Sequence, residues 1–198
     1  MAFVIFGGYM NYIVLDLEWN QSPSGKKNTV EDIPFEIIQM GAVKLDEKYN
    51  IIGEFNKNIR PKVYMQLHSK VEEVVGVTME ELLEDGEDFE RVAADFLEWC
   101  GYDYIICTWG SMDLTELQRN MKHYGIDAGF PQPFLYYDLQ KLFSICYSDG
   151  KTRITLEHAI DQLGIKAGEE YHRAVNDARY TAKIIKYLDM DRAGKYYS

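Results

Sequence analysis

The segment Tyr12-Ile13-Val14-Leu15-Asp16-Leu17-Glu18 constrains this chain more than any other. An almost unbroken apolar run of strand length belongs in the middle of a sheet covered on both faces. Yet it carries two carboxylates two positions apart, and alternate residues of a strand face the same side. Burying neighbouring acids costs desolvation and mutual repulsion, and bound cations would offset both. The bare Asp-x-Glu pattern is weak by itself, since it recurs at Asp85 and Glu87 and at Asp88 and Glu90 in an acidic, solvated run. Its place at the end of an apolar strand gives it weight.

Two further strands are expected at 35–45 and 51–59, separated by the turn-like Asp46-Glu47-Lys48-Tyr49-Asn50, which makes the first three strands an antiparallel meander. A polar stretch at 20–32, with Ser22-Pro23-Ser24-Gly25-Lys26-Lys27, reads as a loop. The pattern then turns helical, at 69–75, after the capping-box sequence Thr78-Met79-Glu80-Glu81, and at 88–100, where Val92, Phe96 and Trp99 share a face. A fourth strand at 104–109 leads into a helix at 111–124 that Gly125 stops, with Ser111 as N-cap. A short fifth strand at 134–137 and helices at 138–146, 156–163 and 174–188 complete the series. The expected fold is therefore α/β, a mixed five-stranded sheet flanked by helices. Strands one to three are antiparallel, strand four runs parallel to strand one, and strands four and five lie on strand one's side. The C-terminal ends of strands one and four then share an edge, which is where sites in such sheets form.

The 198 residues suit one domain, expected at 10–190, with residues 1–9 a ragged start and 191–198 a tail. A net charge of −11 argues against a protein that coats nucleic acid, because such binders collect Lys and Arg. It is compatible with an enzyme that grips one chain end through divalent cations. Three cysteines without a CxxC pair point to a reducing, cytoplasmic setting with neither disulfide framework nor zinc site. No apolar stretch reaches membrane-spanning length, so no membrane partner is expected.

Three more residues are candidates for chemistry. Asp113, in Thr108-Trp109-Gly110-Ser111-Met112-Asp113, falls in a first helical turn, where it serves either a cation or the helix dipole. His172 and Asp177 are five residues apart, about 140° around a helix, so His172 belongs in the loop before the last helix and Asp177 in its first turns. A mobile histidine beside a fixed carboxylate suits a general base, although a solvated surface pair has the same spelling.

The order Asp16, Glu18, Asp113, His172, Asp177 resembles that of the DnaQ-like (DEDDh) 3′→5′ exonucleases of the ribonuclease H-like fold. The likeness extends to Glu36-Ile37-Ile38-Gln39-Met40-Gly41-Ala42-Val43 and Gly76-Val77-Thr78, and is greatest to the branch holding the histone-mRNA and RNA-interference exonucleases and KapD-like proteins. This resemblance implies that Asp16 bridges two Mg²⁺ or Mn²⁺ ions, that Glu18 and Asp177 complete one site, and that Asp113 assists the second. His172 would take the proton of the attacking water, and a nucleoside 5′-monophosphate would leave. The implied substrate is the 3′ end of single-stranded nucleic acid, RNA rather than DNA. A DNA-directed proofreading exonuclease and a non-catalytic partner-binding module are the alternatives. Trp19 is a candidate stacking surface or a packing residue, while Trp109 leans toward the core. His68 stands where the family often faces the terminal nucleotide. Lys26, Lys27, Lys151 and Arg153 are candidate phosphate contacts, and a protein partner for substrate targeting is left open.

Overall fold

The computed structural model describes residues 10–127, 130, 134–168 and 170–190; the expected ragged start and tail lie outside them, as do the side chains of Lys26 and Lys27. Five strands form one sheet in the order β3-β2-β1-β4-β5, with β1 (Asn11–Gln21) at its centre. β2 (Phe35–Leu45) and β3 (Ile51–Asn58) continue it antiparallel, while β4 (Tyr104–Thr108) and β5 (Tyr136–Asp138) add parallel on the other side. This is the mixed sheet expected from the sequence.

The helices are α1 (Ser69–Val75), α2 (Met79–Asp85), α3 (Phe89–Cys100), α4 (Met112–His123), α5 (Leu139–Tyr147), α6 (Leu156–Gln162) and α7 (Ala174–Ile184). Strand alternation divides the core in two. Ile13, Leu15 and Leu17 pack with α3 and α4 on one face, and Val14, Val43 and Leu45 with α5, α6 and α7 on the other. The Thr78 capping box is present, Thr78 Oγ1 accepting from Glu81 N and Glu81 Oε2 from Thr78 N.

Several boundaries move, each for a visible reason. β1 runs three residues past Glu18, because Asn20 is buried and hydrogen-bonded. β4 ends at Thr108, where Gly110 turns the chain at φ +96°. Ser111 occupies the N-cap of α4 but its side chain makes no capping bond. β5 is shifted to 136–138, and the last helix closes with a 3-10 turn at Ile185–Tyr187.

Two features position the site. β4 pairs with β1 only through Val14↔Cys107, so the second half of β1 outruns it and leaves that side open to α4. Gly41, opposite Asp16 on β2, lets α7 lie directly on the sheet: a Cβ there would stand 2.1 Å from Val175 N and 2.2 Å from the Ala174 carbonyl carbon.

Candidate active site

Asp16 and Glu18 project from β1 toward the α7 face, the side of Val14. Asp113 enters from the first turn of α4, and its Oδ1 accepts the Leu17 N–H at 3.0 Å. That amide belongs to the part of β1 that β4 does not reach, so the open sheet edge itself orients Asp113 between the two β1 acids. Asp177 descends from the first turn of α7. Its Oδ2 accepts the His172 N–H at 3.0 Å, while its buried Oδ1 has no protein partner. One ligand atom each of Glu18, His172 and Asp177 lies within 4.8 Å of the others.

His172 sits in the turn before α7 at φ +61°, a left-handed conformation rare outside glycine, and its side chain is half exposed at 49%. Its Nε2 lies 3.8 Å from Glu157 Oε1 of α6. Arg173 closes the turn by donating to Gly76 O, and Asn176 Nδ2 donates to Glu170 O.

The electrostatics are those of an acid cluster short of positive charge. Burial lifts Asp16 well above the ordinary carboxylate range, and the charges of Asp113, Glu18 and Asp177 push it further. Burial and the charges of Asp177 and Asp113 raise Glu18 to about 8, against a partial offset from Arg173. Asp113 rises to about 7 through burial, although the Leu17 N–H favours its charged form. Asp177 rises to about 6, again chiefly through burial. Among the described residues, no lysine or arginine forms an ion pair with any of the four. Oxygen donors converging in a buried place, one of them unpartnered, fit hard divalent cations.

The structure thus brings together Asp16, Glu18, Asp113, His172 and Asp177. Trp19 is not brought to them. It follows Glu18 within the strand, so it faces the opposite side of the sheet, packing with the Ile13–Leu17 core and against Phe35 at 5.8 Å between rings. Trp109 packs on Phe143 and donates to Ile154 O, as expected of a core residue. His68 begins α1, where its Nδ1 accepts from Lys70 N and its own N–H donates to Asn20 Oδ1, so it carries a capping duty.

Two residues not singled out in the sequence build the neighbouring wall. Asn20, two past Glu18, donates to the carbonyls of Tyr64 and Gln66 and accepts from His68 N. The buried Glu36 carboxylate accepts from Lys62, Val63 and Tyr64 N at 2.5–2.8 Å. With the Arg173 bond at its far end, α1 is strung between the residue after His172 and the strand bearing Glu18. Glu36 was signalled by its place at the head of an apolar strand, whereas Asn20, read as the start of a polar loop, gave no signal. Glu36→Ala leaves three amides without their acceptor, and is expected to lower stability by about 3 kcal/mol, read as a reduced urea midpoint at unchanged m-value.

The exonuclease family model (RNase_T) matches residues 13–185. The probable 3′-5′ exonuclease KapD of Bacillus subtilis is 26% identical over 186 residues, covering 91% of this chain and 85% of that protein. The PolC-type DNA polymerase III of Clostridium perfringens is 28% identical over 176 residues, covering 89% of this chain, which spans only 11% of the polymerase. Among solved structures, the nuclease domain of 3′hExo, a DEDDh family member bound to rAMP, superposes with a TM-score of 0.75 at 20% identity, covering 93% of this chain and 94% of that one. Exonuclease I of E. coli in complex with a dT13 oligonucleotide matches with TM-score 0.75 at 18% identity, covering 94% and 43% respectively. With its family-model match running from β1 to the end of α7, this chain belongs to the exonuclease family.

Proposed function

We propose that the chain removes nucleotides one at a time from the 3′ end of single-stranded nucleic acid, RNA in preference to DNA, and releases nucleoside 5′-monophosphates. The observation that carries this reading is the convergence of four carboxylates from β1, α4 and α7, Asp113 and Asp177 buried and Asp16 and Glu18 half-buried, beside a half-exposed histidine. Asp16, Glu18, Asp113 and Asp177 would hold a pair of Mg²⁺ or Mn²⁺ ions. When bound, these supply the positive charge that the cluster lacks and stabilise charge on the phosphoryl oxygens.

His172 acts as general base. Its exposed ring accepts the proton of a water whose oxygen forms the new bond to phosphorus. The bond from phosphorus to the 3′ oxygen of the penultimate nucleotide breaks, and that oxygen is protonated from solvent. Glu157, 3.8 Å from His172 Nε2, is placed to steady the protonated ring. Lys151 and Arg153, exposed in the turn that feeds α6, the helix that carries Glu157, are assigned to phosphates of the strand. The preference for RNA draws on the end-to-end match with the 3′hExo nuclease domain, whereas Exonuclease I is matched over less than half its length. The PolC-type relatives favour the DNA reading. We place the protein in the cytoplasm, in keeping with the free and buried Cys100 and Cys107.

Digestion of 5′-labelled and 3′-labelled RNA and DNA oligomers of one sequence, with Mg²⁺ and again with EDTA, tests the proposal. The expected result is a ladder shortening from the 3′ end, faster on RNA, with 5′-monophosphate products and no cleavage in EDTA. Internal cuts or cleavage in EDTA would overturn the activity, and faster turnover of DNA would overturn the preference.

A further inference from the structure

A pocket of about 390 Å³ lies at the opposite end of the sheet from the carboxylates, where the β2–β3 turn, the segment after α6 and the end of α7 meet. Its place follows from the register: Tyr12 pairs with Leu45, and the Tyr12 and Tyr49 rings lie 5.0 Å apart, so the turn sits at the start of β1. Glu18 lies six strand steps beyond Tyr12, about 20 Å. The pocket is therefore not part of the catalytic cleft.

Its lining charge is opposite in sign to that of the chain as a whole. Acids outnumber bases 32 to 21 in this chain, yet none of the nine lining residues is acidic and three are lysines, Lys166, Lys183 and Lys186. Elsewhere Lys57, Arg60, Lys62, Arg91, Arg119 and Arg179 are neutralised by carboxylates. The three pocket lysines have no ion pair among the described residues. Three like charges lining one pocket repel one another, and an anion bound among them offsets that repulsion. Beside them stand flat or apolar surfaces, Tyr49, Tyr187 and Ile51, the last two about half exposed at 51% and 49%. The volume lies at the small end of the range of small-molecule sites, roughly 300–1,000 Å³.

We propose that this pocket binds a free nucleotide, its phosphate held by Lys166, Lys183 and Lys186 and its base laid against Tyr187. The phosphate supplies the anionic partner that these lysines lack, Lys183 Nζ otherwise lying 5.0 Å from the Tyr180 ring centroid, and the base covers ring surface that is otherwise wet. The site stands independently of the reading given to the carboxylate cluster.

The test is calorimetric titration of this 198-residue chain with AMP in EDTA, where the catalytic acids carry no cations and repel a phosphate. Saturable binding is expected, at least about tenfold tighter than for inorganic phosphate, since stacking contributes about 1–3 kcal/mol. Lys166→Gln, Lys183→Gln and Lys186→Gln combined should weaken AMP at least tenfold, and Tyr187→Ala should weaken AMP but not phosphate. Asp16→Asn should leave AMP binding unchanged, and the lysine variant should keep wild-type cleavage of a short RNA. Absence of AMP binding in EDTA, equal affinity for phosphate, or loss of binding in Asp16→Asn but not in the lysine variant would overturn the proposal. Should the triple variant fail to fold, Lys186→Gln and Tyr187→Ala carry the same comparison singly.

Discussion

Replacing His172 by glycine is expected to reduce turnover by about 10²–10⁴-fold, the usual contribution of a general base, while making the protein more stable by roughly 1 kcal/mol. The two effects have separate causes in one residue. The imidazole is assigned to take the proton of the attacking water, and nothing in glycine replaces it. The backbone at 172 holds φ +61°, which a side chain with a Cβ adopts at a cost and glycine does not. The His172 N–H that donates to Asp177 Oδ2 survives the substitution, so the fourth carboxylate stays in place. His172→Ala removes the same imidazole but keeps the strained conformation, and should lose activity without gaining stability. Single-turnover cleavage of labelled RNA and thermal melts of both variants read the two effects independently. Activity of His172→Gly within tenfold of wild type would remove His172 from the role of base. A melting temperature lowered equally in both variants would mean that the ring is held by packing rather than tolerated under strain.

The same residue marks how far the sequence could be read. Alternation along β1 was enough to set Asp16 and Glu18 side by side, and the five-residue offset separated His172 from the helix bearing Asp177. Nothing local predicts a positive φ at a histidine. It follows from a turn fixed at long range, by Arg173 to Gly76 O and by the Asp177 carboxylate. Asp113 was ambiguous for a similar reason. Its tie to Leu17 N exists because β4 stops short of the end of β1, a matter of sheet register that no window of sequence contains. Trp19 stood open between stacking and packing, and the structure shows the packing role. Ending the strand at Glu18 left Trp19 free to turn toward a substrate, whereas three more residues of strand carry it, by the same alternation, to the far face. His68, expected opposite the terminal nucleotide, caps α1 and donates its own N–H to Asn20, whose burial was not legible.

In EDTA, the stability of this protein is expected to fall as pH rises from about 4 to about 8, the reverse of the behaviour usual for paired carboxylates. In the folded protein Asp177 titrates at about 6, Asp113 at about 7 and Glu18 at about 8, with Asp16 also well above its ordinary value. Unfolded, all four titrate near 4. Between those limits the native state holds more protons than the unfolded chain, so each unit of pH costs up to about 1.4 kcal/mol for every group still protonated only when folded. The loss begins above about pH 4 and is complete above the native values. A melting temperature lower by roughly 10 °C at pH 8.5 than at pH 5 corresponds to a few kcal/mol in a chain of this size. Excess Mn²⁺ should act in the opposite sense, binding the deprotonated cluster and restoring about 2.7 kcal/mol at a hundredfold excess over its dissociation constant. Asp16→Asn separates this cluster from every other titrating group: it removes one buried charge, so the EDTA profile should flatten and the response to Mn²⁺ should shrink together. If the wild-type and Asp16→Asn profiles run parallel in EDTA, the four acids are solvated rather than crowded, and the physical case for a cation site between them is lost.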